Sequence, residues 1–552
     1  MPTGAELFVD GLERLGLTEI FTLVGDHLNE PLLEAARRGL SLFDMRHESG
    51  VAHAADVWAR LHRRPALALV TGGPGHTNAL TGIATANLAA SPLIAVSGSR
   101  ASTAAQRQAF QDLDQLGMTR PVVKWAAEVP AACEIPFYLG RAYAEATAGR
   151  MGAVHLTIPV DAFRGQAPGP AVVPVPAAST PQPDARDIDR ALALLEAAER
   201  PIVIAGSGIW WAHAEDELRR FIEQTSLPLY TITMARGLVP DDHPLVMGYP
   251  DPALCPTVLE AFREADLFVI LGKRLDFRLA LGGPRLFPAD AKFIQVDIHP
   301  QELGMNRRLE VGICADVKAT LRALLAALGS RAWPARAWLE RLRALRRQWD
   351  EHLAALAEDR AAPLDPVAFY AELKKALPPG TLYSWDGADF AHWGRASIPA
   401  LIPGGWVRLG PLGTIGAGLP NALALQLANP GQPVALITGD GSLGFYIIEM
   451  DTAVRHRLPV VIIVGNDGCW GLERHLQLEA TAGARTVVCD LRQTRYDLVM
   501  KGFGGDGETI ETLAQVRPAV ARAFASGKPY VLNVLIRSAR SPFTDWQIAG
   551  KK

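Results

Sequence analysis

Gly439-Asp440-Gly441-Ser442 and, twenty-seven residues on from its aspartate, the turn Gly465-Asn466-Asp467-Gly468 decide how this chain folds. Between them Leu443 to His456 reads as a helix and Val460 to Val464 as a short apolar strand. A turn, helix, strand and second turn in that order form a parallel-sheet unit, since parallel neighbours need a crossover long enough to hold a helix. Asp440 and the Asn466-Asp467 pair are then aimed at one place, the carboxyl end of the sheet. Hard oxygen ligands, with room for water and phosphate oxygens, suit Mg²⁺; zinc would want Cys or His. Glycines let backbone N–H groups approach an anion closely, and a helix N-terminus adds a favourable dipole.

Outward from this unit the chain repeats the pattern. Glu6 to Leu15 has helical spacing and Ile20 to Val24 reads as a strand. Further short strands follow at Ala66 to Val70, Leu93 to Ser97 and Val154 to Ile158. Arg164 to Arg186 is rich in Pro and Ala and reads as a linker. Pro201 to Ala205, Leu267 to Leu271 and Phe293 to Val296 read as strands of a second α/β segment. Arg331 to Arg360 is charged, helical and expected to pack across the domains. At 552 residues the chain is too long for one core. The fold expected is α/β, with three doubly wound parallel-sheet domains at 1–165, 186–330 and 361–540.

Composition narrows the partners. Hydrophobic residues make up 49% and the net charge is −3, with no basic run, which argues against nucleic acid or an anionic membrane as a partner. Met1 to Leu7 lacks a basic flank and a long apolar region, so no signal peptide is expected, and no apolar stretch reaches the ~20 residues of a membrane span. Cys133, Cys255, Cys314, Cys469 and Cys489 show no paired spacing and read as reduced thiols of a cytoplasmic protein.

Upstream motifs supply a second half of the argument. Arg46-His47-Glu48-Ser49-Gly50-Val51-Ala52-His53-Ala54-Ala55-Asp56, then Thr71-Gly72-Gly73-Pro74-Gly75-His76-Thr77-Asn78, Ser91 to Gly98 and Phe110-Gln111-Asp112-Leu113-Asp114 follow in order. Together with the two turns, they resemble the thiamine diphosphate (ThDP) enzymes of the acetolactate synthase-like superfamily over nearly the whole chain. Benzaldehyde lyase and 2-hydroxyacyl-CoA lyase are the nearest in motif. The resemblance implies a pyrimidine-binding first domain, a central domain and a diphosphate-binding third domain.

It also implies roles. Glu48 would hold the pyrimidine in its imino form, so that the ring's own nitrogen removes the thiazolium proton; a dry pocket and a raised pKa would serve that task. Thr71, Gly75 and Asn78 would line the same ring. Asp440, Asp467 and the Cys469 carbonyl would hold Mg²⁺ against the diphosphate, beside Gly439, Gly441, Ser442, Trp470 and Gly471. The family usually has Asn where Asp467 stands, so Asp467 could instead be a turn former with Asn466 as the ligand. Gly413 would present backbone to the cofactor, and Ile415 would wedge beneath it. Ala388, Asp389 and Phe390 lie where acetolactate synthases often carry Gln-His donors to the diphosphate.

Substrate choice turns on Asp26, His27, His76, Gln111 and Trp470. Gly25-Asp26-His27 resembles the lyase turn whose His faces the reacting centre, and such a His can shuttle a hydroxyl proton; Gln111 matches a Gln that contacts substrate oxygens. The catalytic set is therefore Glu48, His27 and Gln111. The reaction expected is C–C cleavage or ligation on 2-hydroxy ketones, 2-hydroxyacyl thioesters or aldehydes through an enamine. The alternatives are an acetolactate synthase or other 2-oxo acid decarboxylase, and a catalytically silent ThDP-binding subunit. Ala205-Gly206-Ser207-Gly208 and Asp297 leave FAD or ADP in the central domain open; no flavin is expected, because the chemistry is not redox. The family's site lies between subunits, so a homodimer or homotetramer is expected.

Overall fold

The computed structural model describes residues 1–169 and 179–551. Its described residues form three six-stranded sheets, all parallel. The first holds β1 (Glu19–Leu23), β2 (Ser41–Asp44), β3 (Ala66–Val70), β4 (Leu93–Ser99), β5 (Trp125–Glu128) and β6 (Val154–Pro159) in the order β2-β1-β3-β4-β6-β5. The second holds β7 (Pro201–Ala205), β8 (Leu229–Thr231), β9 (Val246–Gly248), β10 (Leu267–Leu271), β11 (Lys292–Asp297) and β12 (Val311–Cys314), ordered β12-β11-β10-β7-β8-β9. The third holds β13 (Leu382–Trp385), β14 (Trp406–Arg408), β15 (Val434–Gly439), β16 (Val461–Asn466), β17 (Asp506–Ile510) and β18 (Tyr530–Leu535), ordered β14-β13-β15-β16-β18-β17. The first and third sheets share one topology. The second has the strand order of a dinucleotide fold, with a switch point between β7 and β10.

Helices cover both faces of such sheets, so their strands carry unbroken apolar runs. β3 (ALALV), β7 (PIVIA) and β10 (LFVIL) are buried at every position. Register fixes where the loops meet. Leu23 pairs with Val70, and Val70 with Ser97, which brings the turns after β1, β3 and β4 side by side. Gly439 pairs with Gly465, so Asp440 and Asn466 leave adjacent strands at the same level.

The helix expected over Leu443 to His456 is two helices, Asp440–Phe445 and Glu449–Arg455. Gly444 and the β-branched pair Ile447-Ile448 weaken it there. The break lets Tyr446 Oη donate to Ser49 Oγ at 2.7 Å and turns Glu449 toward the backbone of Arg46. Helix Ala337–Leu356 spans two cores. Trp338, Leu339, Leu342 and Leu345 pack into the central one, and Trp349 into the third. Helices Glu48–His62 and Gly418–Ala428 share a core that joins the first sheet to the third. Of the Pro-rich stretch, 170–178 lies outside the described residues; helix Ala185–Ala197 follows it. No described helix is long and apolar enough to cross a membrane.

Candidate active site

Two clusters form at the carboxyl ends of the first and third sheets. In the first, Glu48 opens helix Glu48–His62, with the His47 side chain accepting from Ser49 N at its amino end. Glu48 Oε2 accepts from Asn78 Nδ2 at 2.9 Å. A Cβ on Gly75 would stand 2.7 Å from Thr71 Cγ2 and 3.3 Å from Glu48 Oε1, so glycine there lets the two loops close on each other. His27 is 5% exposed, and its Nδ1 lies 2.9 Å from Thr71 Oγ1 and accepts from Gly72 N at 3.4 Å. With Nδ1 an acceptor, the ring proton sits on Nε2. Burial lowers the His27 pKa; Asp26 opposes that shift and Arg164 adds to it. His27 is accordingly a neutral imidazole near neutral pH, with an N–H to offer. Gln111 packs on Gly73, whose added Cβ would meet Gln111 Cβ at 2.8 Å. Asp26 is exposed beside this group.

His76 does not join them. It is fully buried, with Nδ1 2.9 Å from Ser97 Oγ and Nε2 2.9 Å from Thr119 Oγ1. Burial pushes its pKa down to about 4. Both ring nitrogens are taken inside the core, which corrects the expectation that His76 faces substrate.

The second cluster surrounds Asp440, which is 2% exposed. Its Oδ1 accepts from Gly441 N at 2.9 Å and its Oδ2 from Gly468 N at 3.0 Å. Burial first, and the neighbouring Asp467 second, raise its pKa to about 7. Asp467 Oδ1 accepts from Cys469 N at 3.3 Å, and burial raises this carboxyl too. Asn466 turns the other way: its Nδ2 donates to Asn533 Oδ1 and to Thr494 O, both at 2.9 Å, inside the sheet. That leaves Asp467 as the side chain facing Asp440. Trp470 lies over Gly441, where a Cβ would be 2.6 Å from the indole, and Gly471 brings Asp467 and Asp389 together. Ser442 approaches Gly387 behind Gly439.

Three side chains named from sequence serve the scaffold here. Phe390 is buried beneath Gly465 and stacks near Tyr370, with ring centroids 5.0 Å apart. Asp389 places Oδ1 on the C-terminal segment and Oδ2 beside His475, and a carboxylate offers no donor to an anion. Cys469 is buried, its Sγ 3.5 Å from Ser538 Oγ, and burial holds its thiol up at about 11. Only backbone groups of Ala388, Asp389, Phe390 and Cys469 remain for a ligand.

Sequence reading missed Asp386. This buried carboxylate accepts from Gly387 N at 2.6 Å, Gly418 N at 2.8 Å and Gly416 N at 3.1 Å, and so pins the loop bearing Gly413 and Ile415. Burial raises its pKa to about 6. A carboxylate at a strand end ahead of a Gly-rich loop was the available signal. Gln115 was missed as well; it accepts from Gly73 N and donates to Gly98 O, both at 3.2 Å, tying the first cluster's loops together. A third opening, a cavity of about 420 Å³, lies at the switch point of the central sheet, lined by Ser207, Gly208, Thr233, Lys273, Arg274 and Asp297 among others.

Comparison with known proteins gives the family. Residues 2–118 match the N-terminal TPP binding domain of thiamine pyrophosphate enzymes, 188–324 the central domain and 386–534 the C-terminal TPP binding domain. An acetolactate synthase large subunit of Mycobacterium tuberculosis (strain ATCC 25618 / H37Rv) is 38% identical, over 95% of this chain and 94% of that protein. The chain belongs to the thiamine pyrophosphate enzymes. The family's 2-hydroxyacyl-CoA lyase 1 of Mus musculus is 30% identical over 97% of this chain and 94% of its own. Oxalyl-CoA decarboxylase of Escherichia coli (strain K12) is 29% identical over 98% and 96%. A crystal structure of benzoylformate decarboxylase from Polynucleobacter necessarius shares the fold, with a TM-score of 0.85 over 98% of this chain and 100% of that one, at 22% identity. The protein is thus a thiamine diphosphate-dependent enzyme of the acetolactate synthase, lyase and decarboxylase group, and both clusters fall within its TPP-binding segments.

The residues present fit Mg²⁺ and a diphosphate. Asp440 and Asp467 raise local negative charge that a divalent cation neutralises. Among the described residues no three His, Cys, Asp or Glu side chains gather to hold a metal. Two carboxylates, one carbonyl, water and phosphate oxygens are the set Mg²⁺ takes.

Proposed function

We propose that this enzyme cleaves and forms C–C bonds on 2-hydroxy ketones, 2-hydroxyacyl thioesters or aldehydes. The observation that carries the reading is His27, buried and neutral, held through Nδ1 by Thr71 and Gly72 with Nε2–H left over. Bound thiamine diphosphate supplies a carbon nucleophile that stabilises negative charge on a substrate carbonyl carbon. Glu48 holds the proton that keeps the aminopyrimidine in its reactive tautomer, with Asn78 fixing the carboxyl. Asp440, Asp467 and the Cys469 carbonyl hold Mg²⁺ and so position the diphosphate. Ile415, on the loop pinned by Asp386, would pack against the bound cofactor. His27 Nε2–H would donate to the substrate oxygen that alternates between hydroxyl and carbonyl, stabilising the negative charge on it as the C–C bond breaks or forms, while the hydroxyl proton leaves to solvent. Gln111, beside Gly73, would orient the same oxygen.

Assembly is part of the same proposal. Asn78 is exposed and Glu48 half-buried, and no hydrogen bond or ion pair among the described residues joins them to the Asp440 turn. A site built between two copies, in a homodimer or homotetramer, completes each half. The three domains, the cytoplasmic location and the absence of a nucleic acid or membrane partner belong to the same proposal. So does the absence of flavin, since no step transfers electrons.

A second reading, acetolactate synthesis or another 2-oxo acid decarboxylation, is favoured by the higher identity to an acetolactate synthase. A substrate panel separates the two: benzoin, acetoin, a 2-hydroxyacyl-CoA, pyruvate and benzoylformate, with product analysis. The lyase reading expects aldehyde release from the hydroxy substrates. Turnover of the 2-oxo acids alone, with CO₂, overturns it.

A further inference from the structure

Asp389 opens helix Asp389–Ser397 beside the cofactor turn, and its carboxylate bonds to the C-terminal segment. Oδ1 accepts from Ser541 N at 2.9 Å, from Ser541 Oγ at 2.5 Å and from Thr544 Oγ1 at 2.5 Å. Oδ2 lies 3.1 Å from His475 Nδ1. Ser541 and Thr544 are 0% exposed and Asp389 8%. Oδ1 therefore docks the start of the C-terminal helix Pro542–Lys551, while Oδ2 ties the same carboxylate to His475 on helix Gly471–Ala480. Two further contacts seat that helix. Phe543 stacks on His392 at 4.1 Å, and the Arg285 guanidinium of the central segment lies 3.6 Å from the Trp546 ring.

The network continues to the metal turn. Ser538 Oγ is 3.4 Å from His475 Nε2 and 3.5 Å from Cys469 Sγ, and Cys469 N donates to Asp467 Oδ1. Gly471 closes the loop of contacts: a Cβ there would be 3.1 Å from Asp467 Oδ2 and 3.7 Å from Asp389 Oδ2. One set of buried and half-buried polar groups thus joins the chain's last helix to the turn proposed to hold the cation. Buried networks of this kind are stable only when fully satisfied, so loosening either end exposes unpaired groups at the other.

We propose that Asp389 is a positioning residue that clamps the C-terminal segment Ser538–Lys551 onto the diphosphate half-site, so that docking of this segment and loading of cofactor and Mg²⁺ reinforce each other. The clamp itself stands on the contacts above; its coupling to cofactor rests on the thiamine diphosphate reading.

Hydrogen exchange of the full-length protein, followed by mass spectrometry over peptides covering 538–549, tests both parts. In cofactor-free protein, Asp389→Ala is expected to speed exchange of this segment about tenfold or more, the scale of losing one or two buried hydrogen bonds. Thr544→Val should give a smaller rise in the same place and serves if Asp389→Ala fails to fold. Arg540→Ala, which removes the partly exposed ion pairs with Asp545 and Glu479 and touches none of the Asp389 contacts, should leave exchange nearly unchanged. Adding ThDP with Mg²⁺ should slow exchange of the wild-type segment about threefold or more, and Asp389→Ala should weaken cofactor affinity by calorimetry while Arg540→Ala does not. Unchanged exchange in folded Asp389→Ala or Thr544→Val overturns the clamp. A wild-type protein that binds ThDP with no change over 538–549 overturns the coupling. Absence of ThDP binding to wild type would instead remove the cofactor reading, and the cofactor-free comparison would still decide the clamp.

Discussion

Glu48 and His27 sit on neighbouring loops but do different work, and their substitutions separate them. Glu48→Gln keeps the shape and the Asn78 contact yet cannot relay a proton to the pyrimidine. It is expected to suppress proton–deuterium exchange at the thiazolium carbon for every substrate and in both directions. His27→Ala leaves Glu48 and Asn78 untouched. It should keep cofactor binding and thiazolium exchange nearly intact while slowing adduct cleavage or ligation by about 10²–10⁴-fold, the usual worth of one positioned acid–base group. NMR after acid quench reads exchange apart from turnover. Abolished exchange in His27→Ala with normal exchange in Glu48→Gln would reverse the two assignments. Asp440→Ala belongs to the same scale: it removes one of two carboxylates facing the cation, and calorimetry should show a large loss of Mg²⁺-dependent ThDP affinity.

Among the elements, the amino end of the helix bearing Glu48 depends on another domain. Glu449 is fully buried, and its carboxylate accepts from Arg46 N at 3.3 Å and from Thr452 Oγ1 at 2.6 Å. A Cβ on Gly50 would stand 2.7 Å from Glu449 Oε1, so the helix meets this carboxylate at glycine. Burial raises the Glu449 pKa from 4.5 to about 7, against the opposing hydrogen bonds from Thr452, Arg46 and His47. The folded state therefore binds this proton more tightly than the unfolded chain does. Glu449 contributes stability that is fully present below pH 4.5 and is lost as the pH rises through 7. Glu449→Gln cannot titrate, so its stability relative to wild type should rise between pH 5 and pH 8, by something of the order of 3 kcal/mol. Denaturant melts of both proteins across that range measure the difference. A constant gap would mean that the carboxylate is ionised in the fold at all these pH values.

For the whole molecule, the two half-sites are carried by sheets of one topology and are linked within the chain by Tyr446, Ser49, Glu449 and Arg46. These links hold the first and third domains together and leave Asn78 on the surface. Sedimentation is expected to find activity only in dimers or larger assemblies, with dilution to monomers abolishing turnover and ThDP protecting against dissociation. An active monomer would overturn the between-subunit site.

What the sequence determined by itself follows from short-range physics. β3, β7 and β10 begin and end where the apolar runs do, because strands buried on both faces allow no polar residue between their turns. The Asp440 and Asp467 turns were legible for the same reason: glycine and aspartate at consecutive strand ends have few other uses in a parallel sheet. Tertiary structure alone decided which way side chains with two plausible partners turn. His27 and His76 both come shortly after strands and a glycine turn; one is held through Nδ1 alone, and the other is closed off at both nitrogens by Ser97 and Thr119, residues distant in sequence. Asn466 pairs with Asn533, and Asp389 with Ser541 and Thr544, more than sixty residues away in each case. Asp386 acquires its role only when Gly416 and Gly418 fold back onto it. Hydrogen-bond partners at such separations are set by packing, and no local pattern records them.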